Sequence, residues 1–321
     1  MESVARQPEV DAEIVVIDDC STDESAPVLA ELAMEYENVR VVRHEVNQGL
    51  IATINHGIEL INGQALLVLS ADDCLGPGSL AKAARAFELQ PEVGLVFGSR
   101  MEFVDASELP AIEHYERRAI EPPPKVHVHD GDRWVDARCR QGINPVRSPE
   151  VFVRTSVQRT VGLYDAQCRH TSDLNMWLRI AMASDVAYIE GPPLAYYRHH
   201  GLNMSTVEFG DLATDLRERW TAYMRAIEAS DAGNKRQERW RSLAARSLGT
   251  EAMHEARRAV ERDYGDDVVA LMLAVAKEFG HAVPATDPTA GAPAVPVDRF
   301  GRIQHRLRWW WWLKRLERVG L

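Results

Sequence analysis

Two short apolar runs that each close on acidic residues constrain this chain more than anything else in it. Ile14-Val15-Val16-Ile17 leads into Asp18 and Asp19, and Ala65-Leu66-Leu67-Val68-Leu69 leads through Ser70-Ala71 into Asp72 and Asp73. Short aliphatic, β-branched runs without alternation read as strands covered on both faces, the usual state of a parallel sheet. In open α/β sheets the ligand crevice lies outside the carboxyl ends of the strands. Two acidic pairs at such ends are suited to a hard divalent cation and a nucleotide.

Residues 39 to 42 and 93 to 97 are further runs of this kind, with helical patterns between them, so a parallel sheet with crossover helices is expected. Ile51, Ile54, Ile58 and Ile61 recur at three- and four-residue spacing and give the segment from Leu50 one apolar stripe, which Asn62-Gly63 stops. A second crossover helix is expected over 78 to 89, before Pro91. From Met101 to Val146 the pattern dissolves into Pro122-Pro123-Pro124, alternating His127 and His129, and Gly131, which predicts a long irregular excursion. Regularity returns at Val151-Phe152-Val153, in a helix over roughly 172 to 184, and at Val186-Ala187-Tyr188-Ile189. Residues 207 to 280 read as helices without strand signals. Pro, Ala, Gly and Thr then dominate a linker-like stretch.

Composition removes several function classes. The net charge of -11 opposes nucleic-acid binding, which needs a basic face. Cys20, Cys74, Cys139 and Cys168 lie far apart with no Cys-x-x-Cys spacing, against a zinc site or disulfide framework and in favour of a reducing cytosol. No signal-peptide pattern opens the chain, and no run reaches the roughly 18 apolar residues that span a bilayer. No Gly-x-Gly-x-x-Gly follows any strand, which weighs against a nicotinamide-dependent dehydrogenase.

Asp18-Asp19-Cys20-Ser21-Thr22-Asp23, directly after a strand, resembles the acidic turn of family 2 glycosyltransferases of the GT-A fold. Four more pieces follow in family order. Asn47-Gln48-Gly49 with Asn55 and Gly57 resembles the next loop and helix. Leu69-Ser70-Ala71-Asp72-Asp73 resembles the metal motif. Ser172-Asp173 with Trp177-Leu178-Arg179 resembles the Glu-Asp helix motif, and Tyr197-Arg198-His199-His200 through Ser205 resembles the C-terminal loop. The likeness covers residues 1 to 206. It implies a GT-A-like, Rossmann-type, mostly parallel sheet flanked by helices; beyond it the residue pattern itself reads as a helical extension over 207–280, a linker over 281–300 and a basic, Trp-rich helix over 301–321.

Function follows from the same resemblance: an inverting transferase that moves a sugar from a nucleotide-diphospho-sugar to a glycan or lipid-linked acceptor, in cell-surface polysaccharide synthesis. A divalent metal, Mg or Mn, would neutralise the leaving diphosphate, with Asp73 as first-choice ligand. The resemblance gives Asp72 the ribose or a share of the metal, Asp19 the donor's base, and His200 an approach to the metal or diphosphate. Asn47 and Gly49 sit in a turn where glycine allows close approach to the donor. Asp173, opening a helix beside the donor, is the candidate general base. Plainer readings compete at each position: the acids as helix caps, the 47–49 turn as an ordinary loop, and His200, His127 and His129 as surface residues.

Two departures stand out. Ser172 occupies the place where the family has Glu. Ser3 to Gln7 already matches the end of the family's first helix, so the first strand is missing, and the strands at 13–17 and 65–69 should face an empty slot. Several buried backbone groups left unpaired at about 1–3 kcal/mol each rival a domain's net stability of about 5–15 kcal/mol. The expectation is a natural start about 30 residues upstream. The rival reading is an eroded, non-catalytic relative serving as a binding or scaffold protein. Finally, Trp309-Trp310-Trp311-Trp312 among Arg302, Arg306, Arg308, Lys314, Arg315 and Arg318 suits a membrane interface on the cytoplasmic face. Its competitor is a helix packed on protein.

Overall fold

A computed structural model describes residues 1–111, 114, 124–201 and 211–281. The tail at 301–321 and the linker beyond 281 lie outside the described residues. The first half runs α1 (Glu2–Ala5), β1 (Ile14–Asp18), α2 (Ser25–Glu35), β2 (Val39–Arg43), α3 (Leu50–Leu60), β3 (Ala65–Leu66), β4 (Cys74–Leu75), α4 (Ser79–Leu89), β5 (Val93–Gly98) and β6 (Arg100–Phe103). Then come β7 (Lys125–His129), α5 (Gly131–Gln141), β8 (Val151–Arg154), α6 (Thr155–Val161), α7 (Ser172–Ala183), β9 (Asp185–Glu190) and β10 (Ala195–Arg198). Three helices close the described chain: α8 (Leu212–Glu228), α9 (Asn234–Glu261) and α10 (Asp266–Glu278).

The α/β class holds, with strands in three groups: β1-β2, β4-β10-β6 and β3-β8-β5-β9-β7. Among the described residues parallel order is confined to β1 with β2, β5 with β9 and β6 with β10. The strands β8, β7 and β4 enter antiparallel, so the central sheet is mixed. Every residue of β5 is buried, because the sheet is covered on both faces. One face packs α4 through Ala83, Ala86 and Phe87 on Val96, Phe152 and Ile189. The other begins at Leu95 and Phe97 and continues without a break through Trp177 of α7, Tyr223 of α8 and Trp240 of α9 to Phe279. The helices after residue 211 therefore share the core of the sheet.

The described residues of the excursion expected over 101–146 form regular elements for much of their length. Arg100–Phe103 pairs with β10, Lys125–His129 pairs with β9, and Gly131–Gln141 is a helix capped by the Asp130 side chain, which accepts from Arg133 N at 2.9 Å. That helix escaped the pattern because its inward face is Trp134, Val135, Arg138 and Cys139, with a guanidinium stacked on the indole at 5.0 Å. The strand expected over 65–69 shortens to Ala65–Leu66, the residues that β8 pairs with. Beyond Leu66 no ladder partner among the described residues holds the backbone extended.

Among the described residues both strands at the expected slot are bonded along one edge only, β1 to β2 and β3 to β8. A side chain spans the approach between them: the Glu13 carboxylate accepts from Asn62 N and, at 3.0 Å, from Gly63 N. The aliphatic side chains of Ile14 to Ile17 and of Leu67 to Leu69 are only partly buried. Ser3 and Gln7 tie the amino-terminal turn to the next layer. Ser3 Oγ accepts from Leu75 N at 3.1 Å and Gln7 Oε1 from Leu80 N at 3.1 Å.

Candidate functional site

Strand register brings the first two site segments together. In the antiparallel pairing of β4 with β10, Cys74 faces Tyr196, which carries the acid pair just before β4 to the end of β10. Arg198 N donates to Asp73 Oδ1 at 2.9 Å, and His200 Nε2 lies 3.0 Å from Asp72 Oδ2. Asp73 is 4% exposed. Burial pushes its carboxyl up to about 6, with the neighbouring Asp72 charge adding to the rise and the Arg198 N–H, Arg100 and His200 opposing it. Among the described residues no group of three or more ligating side chains is preassembled. Asp72, beside His200, and its neighbour Asp73 offer two carboxylates of the kind that suits a hard cation.

Asp19 and the 47–49 loop also converge. Asp19 Oδ1 accepts from Gln48 N at 2.8 Å and lies 2.7 Å from His44 Nδ1, Oδ2 accepts from Gly49 N at 2.8 Å, and Asn47 Nδ2 donates to the Asp19 carbonyl at 3.2 Å. Burial raises this carboxyl, but the bonds from Gln48, His44, Gly49 and Thr53 outweigh it and hold Asp19 at about 2. His44 is backed in turn by His56, with Nε2 and Nδ1 2.8 Å apart. Asp19 thus anchors the amino end of α3, across the chain from its own segment. Gly49 opens that helix at φ 86, where a side chain would be strained. Asp18 is spent locally, on Ser21 N and on Arg43 Nη1 at 2.8 Å.

Asp173 lies in the first turn of α7. Its Oδ1 accepts from Leu174 N at 2.7 Å and its Oδ2 from Asn144 Nδ2 at 2.9 Å. Burial raises its carboxyl above the usual range, while Arg147, the Leu174 N–H, His170 and Asn144 pull it back. These neighbours surround the acid where Ser172 replaces the family's Glu. None was visible as a site residue in the sequence, since nothing about spacing ties 144 or 147 to 173.

Two chains of contact join the three acids. Asn55 of α3 exchanges two hydrogen bonds with the Tyr164 backbone, at 2.9 and 2.8 Å. The Tyr164 ring meets Trp177 edge-on, and burial together with the Asp173 charge raises its hydroxyl. On the other side Arg147 lies over the Tyr197 ring at 5.9 Å, next to Arg198 and hence Asp73. Helix α8 fixes the entry to α7 from behind. Glu218 accepts from His170 N at 3.2 Å and Thr171 Oγ1 at 2.9 Å, and Asn175 Nδ2 donates to the Ala222 carbonyl at 3.1 Å.

A family model described as "Glycosyl transferase family 2" matches residues 1–136. The chain is 27% identical over 192 residues to the uncharacterized protein MT1568 of Mycobacterium tuberculosis, covering 59% of each. It is 35% identical over 125 residues to the succinoglycan biosynthesis protein ExoU of Rhizobium meliloti, covering 39% of this chain and 34% of ExoU. It therefore spans about a third to three fifths of these relatives' lengths. In fold it is similar to S. aureus TarS 1-349 in complex with UDP-GlcNAc, with a TM-score of 0.59 at 15% identity over 88% of this chain and 76% of that one.

Proposed function

We propose, from the family 2 glycosyltransferase domain that residues 1–136 carry, that this chain transfers a sugar with inversion from a nucleotide-diphospho-sugar to a hydroxyl of a glycan or lipid-linked acceptor. The observation that carries this reading is the approach of His200 and Arg198 N to Asp72 and Asp73, from segments 125 and more residues apart, with Asp173 joined to them through Arg147 and Tyr197.

In the proposed step Asp173 accepts the proton of the acceptor hydroxyl, whose oxygen attacks the anomeric carbon from the face opposite the leaving diphosphate. A raised carboxyl is a better base than an ordinary one, and Asn144 fixes its orientation. Asp73, with Asp72 and His200, would hold a divalent cation, Mg or Mn, whose contribution when bound is to offset the charge of the departing diphosphate. Asn47, Gly49 and Asp72 would line the donor. Asp19 would act on the donor's base chiefly through the loop it pins, because both of its oxygens already accept from Gln48, His44 and Gly49. The role in cell-surface polysaccharide synthesis draws on the name of ExoU.

No helix of the described residues is long and apolar enough to cross a membrane. The basic, Trp-rich stretch at 302–321 would instead bring a cytoplasmic enzyme to the membrane surface, where a lipid-linked acceptor lies. Flotation with anionic liposomes, lost on truncation after Phe300, tests that part.

A panel of nucleotide-sugars tests the main reading. Turnover that needs Mn or Mg, disappears in Asp73→Asn and in Asp173→Asn, and yields the inverted anomer is expected. The unpaired edges of β1 and β3 favour a second reading, a non-catalytic binding protein. Nucleotide binding without turnover under any metal would select it.

A further inference from the structure

One buried guanidinium ties the helices after residue 211 to both flanks of Asp173. Arg219 stands on α8 and is 6% exposed. Its Nη1 donates to the Gly142 carbonyl at 2.6 Å and to Glu251 Oε2 of α9 at 2.9 Å. Its Nη2 reaches Glu251 Oε1 at 3.1 Å and Asp215 Oδ2, one turn back on α8, at 2.7 Å. The Gly142 contact completes a pattern. A helix leaves its last carbonyls without partners of its own, and those at the end of α5 are met from α8 and α9. Tyr223 Oη donates to the Arg138 carbonyl at 2.8 Å and Ser247 Oγ to the Cys139 carbonyl at 2.7 Å. Gly142 turns at φ 68, so close to α9 that a Cβ there would lie 2.9 Å from Ser247 Oγ. Two residues beyond this anchored point, Asn144 Nδ2 donates to Asp173 Oδ2 at 2.9 Å.

A second arm arrives on the other flank. Asp215 Oδ1 lies 3.6 Å from His170 Nε2, and the His170 backbone N–H donates to the side chain of Glu218, Arg219's neighbour, at 3.2 Å. The Thr171 hydroxyl donates to the Glu218 carbonyl, and α7 begins at the next residue with Asp173 in its first turn. Well-packed apolar side chains often stabilise a core as well as a buried ion cluster does. What a planar fork adds is direction, held toward several acceptors at once. We propose that Arg219 is a positioning residue for Asp173: through Gly142 and Asp215 it fixes the loop and the helix start between which that carboxylate is oriented. The helices beyond residue 211 then serve the reaction as well as the core. This rests on Asp173 being the base of the glycosyl-transfer reading above.

The full chain carrying Arg219→Met with Glu251→Met separates direction from stability, because it removes one charge of each sign and leaves apolar side chains in their place. Burial raises the Asp173 carboxyl while Arg147, the Leu174 N–H, His170 and Asn144 oppose the rise, so a loosened 142–147 loop should let it titrate higher. Carbon-13 NMR of labelled aspartate, assigned with Asp173→Asn, reads this without any substrate. A melting temperature near that of the wild type and an Asp173 titration moved upward are expected. Turnover with Mn and the nucleotide-sugar active in the panel should show kcat lowered by about tenfold to a hundredfold, with KM for the donor little changed. The acid limb of kcat should move up with the carboxyl. Asn144→Ala should give the same shift, and adding it to the double variant should move the titration little further, since both act through one bond. Met272→Ala, on α10, which supplies none of the bonds named above, should lower the melting temperature and leave the titration in place. An Asp173 titration unmoved in the double variant overturns the proposal, as does one moved equally by Met272→Ala or a shift that adds in full to that of Asn144→Ala. Should the double variant fail to fold, Arg219→Lys, which keeps a charge without the fork, is read in the same way. A moved titration with no consumption of nucleotide-sugar under any metal would instead sink the transferase reading alone.

Discussion

Replacing Arg100 with methionine should expose how the segment from 144 to 150 is held against Asp173. The Arg100 guanidinium donates to Glu150 Oε1 at 2.8 Å and to the Pro145 carbonyl at 3.2 Å. The Glu150 side chain is 1% exposed and that of Arg100 15%, so this is a buried pair. Burial pushes the Glu150 carboxyl up to about 7 even against the pull of Arg100 and Arg147. Taking away one partner of a buried pair costs about 3–5 kcal/mol, because the remaining charge is left uncompensated. The folded-state value lies above the ordinary 4.5, so Glu150 favours folding most below 4.5 and that contribution is lost as the pH rises through about 7. Without Arg100 the folded-state value climbs further. The penalty relative to wild type should therefore be largest near about pH 8 and shrink towards about pH 5, where a protonated carboxyl needs no cation. Urea unfolding followed by tryptophan fluorescence at both pH values, on Arg100→Met and on Arg100→Met with Glu150→Gln, measures it. The double variant should recover most of the loss. A penalty independent of pH, or a double variant no more stable than the single, would refute the assignment of the cost to Glu150.

Burial pushes the Asp73 carboxyl up to about 6, so calorimetric Mn affinity should fall about tenfold per pH unit below that value; a flat profile counts against Asp73 as a ligand. Asp173→Asn should lower kcat by about 10²- to 10⁴-fold while nucleotide-sugar binding persists, and the acid limb of the wild-type rate should lie above the ordinary carboxylate range. Asp19→Ala removes the acceptor of Gln48 N and Gly49 N and should cost about 1–2 kcal/mol at neutral pH. Asp19 is depressed from 3.8 to about 2, so its contribution is present above 3.8 and lost as the pH falls through about 2; acid titration of both proteins should show the gap closing there. Trp240→Ala should cost about 3–5 kcal/mol and leave one unfolding transition. Two resolved transitions would mean that α9 and the sheet do not share a core.

Apolar runs and helical stripes made β1, β2, β5, β9, α3, α4 and α7 readable, because each buries a face that the chain repeats locally. What escaped was written in partners far away. Helix α5 turns Arg138 inward, and β6 buries only Phe103, so neither shows a clean period. Leu67 to Leu69 have the composition of a strand, but no strand of the described residues pairs with them. The same division runs through the site. Acids at the ends of apolar runs stand out in a sequence, whereas Asn144, Arg147 and Tyr164 acquire meaning only once α7 is folded beneath them. His44 and His56 belong to this second group, since His44 meets Asp19 just after β2 and His56 of α3 meets His44.

The seam between α7 and α8 has a practical reach. His170, Thr171 and Asn175 take hydrogen-bond partners from Glu218 and Ala222, so the ground under Asp173 is laid by chain that comes after β10. Anyone recombining this protein with a relative inherits that dependence. A crossover point at the end of β10 would cut the support from what it supports, while one beyond Phe279 would carry both across intact.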